Sequence, residues 1–125
     1  MIEDSKVRTF EDLQVWQKAR KLNKEIYQLT ISTNGQKDFS FIDQLRRASI
    51  SVSSNIAEGY ERQSNKEFVR FLYIARGSSG EIRSLLFTAK DLNYIDEFNF
   101  NLLLTNVLEI SKMLYGLIKY LEKKT

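Results

Sequence analysis

The last quarter of the chain carries the pattern that most limits its fold. Leu103, Val107, Ile110, Leu114, Leu117 and Leu121 follow one another at steps of four, three, four, three and four residues. Such steps place all six side chains on one stripe of an α-helix and cannot be laid along one face of a β-strand. A seam this regular has to be buried against other helices. The chain has no proline, so none of its 125 residues forces a helix to stop.

Three further segments share the period. Val15, Trp16, Ala19, Leu22, Ile26 and Leu29 make one stripe, with Gln14, Gln17, Lys21, Lys24 and Gln28 on the opposite face. Thr9 with Asp12 suits its N-terminal cap, Phe10 can pack back on its first turn, and Ser32-Thr33-Asn34-Gly35 suits its end, with Gly35 able to turn left-handed. The second stripe is Phe41, Leu45, Ala48, Ser49, Val52, Ile56 and Gly59, opened by Ser40-Phe41-Ile42-Asp43 as a capping box. The third starts at Ser64-Asn65-Lys66-Glu67, an S-x-x-E box, and runs through Phe68, Phe71, Ala75, Ser79, Ile82, Leu86 and Ala89. The expected architecture is all-α: a single antiparallel up-down-up-down four-helix bundle over residues 1–125, with helices about 12–31, 41–61, 65–92 and 97–122 and a flexible 1–9.

The stretch "RRASISVSSNIAEGYERQS", residues 46–64, looks like a serine-rich site. On a helix its serines divide between two faces. If the second and third helices form a hairpin turning near Arg62–Ser64, Ala48 and Ser49 meet Ser78 and Ser79, Val52 meets Ala75, and Arg46 meets Glu81. Small residues facing small residues then allow close packing, with the hydroxyls bonded to backbone carbonyls. The functional alternative is a polar pocket of Ser49, Asn55, Ser78 and Glu81. Glu58 is placed to pair with Arg62 one turn on.

Composition removes most chemistry. There is no histidine and no cysteine. Ser–His and Cys–His nucleophiles, Glu-x-x-His diiron ligands and thiolate chemistry are all missing their residues. Glu58, Glu61, Glu67 and Glu81 do not gather on one face as a magnesium site would need. No cofactor, metal or catalytic residue is expected. A chain without cysteine suits the reducing cytoplasm, the polar start does not resemble a signal peptide, and no apolar run approaches the ~18 residues of a membrane span.

The net charge is +3, and it is concentrated in the middle. Residues 17–83 hold twelve Lys or Arg against seven Asp or Glu. That balance favours an anionic partner, with Lys18, Lys21, Lys24, Arg46, Arg47, Arg70 and Arg76 as candidate phosphate contacts. A second apolar line also appears. Val69, Tyr73, Gly80 and Phe87 lie opposite the third helix's core stripe, Ile74 and Leu85 widen it, and Ile50 and Ala57 point away from the core of the second. Ile50, Ala57, Val69, Tyr73 and Phe87 are therefore expected in an interface between copies.

Several of these elements resemble a known family. They are Phe10-x-Asp12-Leu13-x-Val15-Trp16, Gln44-Leu45-Arg46-Arg47-Ala48, Ser54-Asn55-Ile56-Ala57-Glu58-Gly59, Ala75-Arg76-Gly77-Ser78-Ser79-Gly80-Glu81 and Lys112-Met113-Leu114. Together they are similar to the 23S rRNA intervening-sequence proteins, over essentially the whole chain. Gly80 departs from the pattern and loosens the helix there. The family's name records gene locations, not an activity. Its members are similar in fold to accessory proteins of diversity-generating retroelements, which form homopentameric barrels and bind nucleic acid. The resemblance implies a homo-oligomer, a pentamer, with a basic surface for RNA or DNA, and it marks Asn55, Glu58, Ser78 and Glu81 as motif polar residues. The competing expectation is a protein-interaction scaffold with a protein partner and no nucleic-acid contact.

Overall fold

The computed structural model describes residues 6–32, 35 and 37–124. A short 3-10 helix, Phe10–Asp12, leads into α1 (Gln14–Ser32), followed by α2 (Phe39–Glu61), α3 (Asn65–Asp91) and α4 (Glu97–Lys123). Among the described residues there is no strand. α2 packs most extensively on α3 and α3 on α4, while α1 closes the square against α2 and α4. Diagonal helices make no close backbone approach. The expected four-helix bundle is what forms.

Caps explain most boundaries. The Asp12 carboxylate accepts from the Arg8 and Thr9 amides at 2.9 and 3.2 Å, so the Thr9–Asp12 box caps the 3-10 turn and α1 begins two residues later than expected. Phe10 meets Trp16 edge-on at 5.1 Å, as expected. Ser64 caps α3 through the Glu67 amide at 3.3 Å. At α2 the expected Ser40 box is displaced by Asp38, whose carboxylate accepts the Phe41 amide at 3.2 Å. A full negative charge at the positive end of a helix outcompetes a hydroxyl. The end of α1 falls at Ser32; Thr33 and Asn34 of the expected stop, and residues 1–5 of the expected flexible start, lie outside the described residues. Gly35 does not turn left-handed. It is buried under the Tyr94 ring, where an added Cβ would collide with the ring carbons.

The core follows the predicted stripes with two shifts. On α4 Ile118 is fully buried and Leu117 only partly, because a straight helix drifts from a seven-residue repeat by ~20° per heptad. On α3 Leu85 is buried in the core and does not widen an outer stripe. Gly59 lets α2 and α3 pack closely, since a Cβ there would stand 2.6 Å from the Phe71 Cβ.

Candidate nucleic-acid interface

Arg46 and Arg47 are neighbours in sequence and enter different grooves. Residues 46, 50, 53 and 57 form one line along α2 turned toward α1, whereas 44, 47, 51, 55 and 58 turn toward α3. The first groove, between α1 and α2, is an open hollow of about 380 Å³ lined by Thr30, Ile31, Lys37, Phe39, Ile42 and Arg46. Its floor is fixed. The buried Thr30 hydroxyl donates to the Ile26 carbonyl at 2.8 Å and accepts from Arg46 Nε at 2.9 Å. The guanidinium carbon lies 4.4 Å from the Tyr27 ring centroid. No carboxylate of the described residues pairs with Arg46, so the expected Arg46–Glu81 bridge does not form. Arg46 leaves α2 on the α1 flank, and Glu81 accepts instead from Gln44 at 3.3 Å.

The second groove, between α2 and α3, is lined by Ser40, Asp43, Gln44, Arg47, Ala48, Ser51, Ser78 and Glu81. Arg47 Nε meets the Asp43 carboxylate at 2.8 Å, so its charge is answered locally. The motif residues meet along this seam. Asn55 donates to the Ser51 carbonyl at 2.8 Å and the Ser51 hydroxyl at 3.0 Å, and Ser51 and Ser78 share a 2.8 Å bond. Glu58 pairs with Arg62 at 3.3 Å, as its spacing suggests.

Ser49 does not join these groups in the pocket considered from the sequence. Its hydroxyl donates to Asn23 Oδ1 at 2.7 Å, while Asn23 Nδ2 donates to Ser53 Oγ at 2.9 Å. This partly buried clamp between α1 and α2 was missed, although Asn23 lies one turn from both Ala19 and Ile26 and so had to border the core.

The other candidate cations spread over the remaining faces. Lys18 pairs with Glu109 of α4 at 3.0 Å and shares the α1/α4 groove with Lys21, Glu25 and Asn106. Lys24 is exposed on α1. Arg70 binds Glu67 at 3.2 Å and holds that carboxyl below its usual range. Arg76 lies over the Tyr115 ring at 4.7 Å. Only Lys18 and Lys21 are brought together, and among the described residues Lys21, Lys24, Arg46 and Arg76 form no ion pair.

The interface candidates divide between opposite faces, not along one edge. Ile50 and Ala57 belong to the α1/α2 face. Val69, Tyr73, Gly80 and Phe87 turn toward α4: Tyr73 donates to Glu122 at 3.2 Å and Phe87 meets Phe100 edge-on at 5.1 Å. Val69 packs partly on the core. Tyr73, Phe87 and Ile50 remain 45%, 49% and 40% exposed.

The family model for the 23S rRNA-intervening sequence protein matches residues 11–116. The chain belongs to that family. This intervening-sequence protein is also similar to a crystal structure from Bacteroides thetaiotaomicron, described as a protein with unknown function from the S23 ribosomal protein family. The two share 27% identity and a TM-score of 0.78 over 84% of this chain and 95% of the other. No curated protein matches the sequence significantly. Neither comparison points to catalysis. Among the described residues no three acidic side chains gather as a metal site would, and no helix of the intervening-sequence protein is long and apolar enough to cross a membrane.

Proposed function

We propose that this protein is a non-enzymatic, homo-oligomeric accessory protein of the cytoplasm that binds RNA or DNA through its unpaired cations. The observation that carries the reading is the division among the seven candidate cations. Lys18, Arg47 and Arg70 pair with Glu109, Asp43 and Glu67, whereas Lys21, Lys24, Arg46 and Arg76 meet no carboxylate among the described residues. Unanswered cations on several faces of a +3 chain suit a polyanion that wraps a multimer better than one compact acidic ligand.

Apolar side chains on opposite faces support head-to-tail association. A cyclic ring joins two different surfaces of each copy, and here the Ile50–Ala57 half of the α1/α2 face, beyond Arg46, and the Tyr73–Phe87 face are available for that role. Gly80 lies on the second face, and a Cβ there would meet nothing within 4 Å among the described residues, which leaves room for a neighbour's backbone. Five copies is the number implied by the likeness to retroelement accessory proteins.

Light scattering with and without single-stranded RNA tests both parts. The expected result is an RNA-binding pentamer whose affinity falls steeply with salt. Tyr73→Glu with Phe87→Glu should give smaller particles. A monomeric wild type would remove the ring. No binding at low salt, with salt-insensitive capture of a protein, would replace nucleic acid with a scaffold role.

A further inference from the structure

The α1/α2 groove sets an arginine, held by a hydroxyl and a ring, beside exposed apolar side chains. Thr30 occupies Nε of Arg46 and the Tyr27 ring lies against the guanidinium, and among the described residues no carboxylate pairs with its two terminal nitrogens, which carry four N–H groups. A planar fork of this kind matches two oxygens of a phosphate. Lys37 lines the same hollow and adds a second positive charge, and among the described residues no acidic side chain lines it.

On the rim stand Phe39 and Ile31, 76% and 67% exposed, which are among the most exposed large apolar residues described. Neither is needed by the core. A free aromatic ring next to a phosphate site is the arrangement that holds a nucleotide unit of an unpaired strand: the backbone is held by charge and the base lies on the ring. A base inside a duplex cannot reach such a ring without leaving its stack.

We infer that this groove is a nucleotide subsite for single-stranded nucleic acid, with one phosphate on Arg46 and Lys37 and an adjacent base stacked on Phe39. The inference rests on the nucleic-acid reading above and adds to it the strandedness of the ligand and the residues that select it. The α2/α3 groove supplies an internal control. It lies one residue along the chain, but it carries Asp43 and Glu81 against a single Arg47 that is already paired.

The test measures anisotropy of labelled single-stranded oligouridylate and oligothymidylate, and of a duplex, against the full chain and its variants. Phe39→Ala should weaken single-strand binding about tenfold and leave duplex binding unchanged. Arg46→Gln should weaken binding by about tenfold and lower the salt slope by about one. Arg46→Lys, which keeps the charge and loses the fork, should recover only part of the loss. Arg47→Gln should bind within about twofold of wild type. Loss on only one of the two probes assigns the subsite to that nucleic acid.

Circular dichroism confirms that each variant is folded. If the wild type binds neither probe at low salt, the nucleic-acid reading fails and the subsite with it. If the wild type binds and both Phe39→Ala and Arg46→Gln bind equally well, only the subsite is overturned. It is also overturned if Arg46→Gln changes the particle mass and leaves affinity unaltered, because a second copy would then cover the groove.

Discussion

The two grooves flanking α2 are built from interleaved residues of one helix and have opposite electrical characters. On the α1 side Arg46 is locked by a hydroxyl and a ring, and its charge is left over. On the α3 side Arg47 is exposed and cancelled by Asp43 one turn back. A 100° step around the helix separates them. Counting charges along the sequence treats these arginines as equal; what each one faces decides whether its charge is available to a ligand.

The packing beneath the grooves differs too, and it can be broken at specific points. The largest effect is expected at Gly59, where α2 and α3 touch. Gly59→Val should lower unfolding stability by about 3 kcal/mol in urea titrations, because Phe71 leaves no room for the side chain. Ser49→Ala comes next, at about 2 kcal/mol, since it strips a buried donor from Asn23 Oδ1. Ser51→Ala, on the open side of the helix, should cost less than about 0.5 kcal/mol. Equal losses for the two serines would mean that the sides of α2 are not energetically distinct.

Smaller differences sharpen the comparison. Arg46→Gln should cost about 1 kcal/mol through the lost ring contact and hydrogen bond, and Arg47→Gln less than about 0.5 kcal/mol. Thermal melts at matched ionic strength check both. The smallest effect is one of pH. The Tyr94 phenol donates to Asp38 at 2.9 Å, and this bond, with some desolvation, raises its pKa above the usual phenol value. A raised folded value favours the neutral phenol, so the stabilisation is complete below the unfolded pKa and is lost as pH rises through the folded one. Tyr94→Phe should flatten the alkaline limb of a melting-temperature profile.

Much of the bundle was legible because buried stripes obey a fixed angle. Phe68, Phe71, Ala75, Ser79, Ile82, Leu86 and Ala89 are all buried as their spacing requires. The misses have other causes. Replacing Leu117 with Ile118 takes only the drift between 3.5 and 3.6 residues per turn. Asp38 over Ser40 was a competition between two valid caps two residues apart. The Arg46 site was harder, since Tyr27, Thr30, Phe39 and Arg46 lie on two helices whose mutual rotation no single stripe specifies. Long side chains choose partners across such gaps, and a hairpin register cannot show which flank an arginine leaves by.

Asp38 connects these observations to motion. One of its oxygens holds the first turn of α2, and the other holds the turn after α3 through Tyr94, whose ring covers Gly35. Both connections meet at a single carboxylate. Under native-state hydrogen exchange, the amides at this end of the bundle should therefore lose protection as one cooperative unit. Phe39 and Lys37 on the groove's rim, though exposed, stand on either side of Asp38 in the chain and so share its anchor.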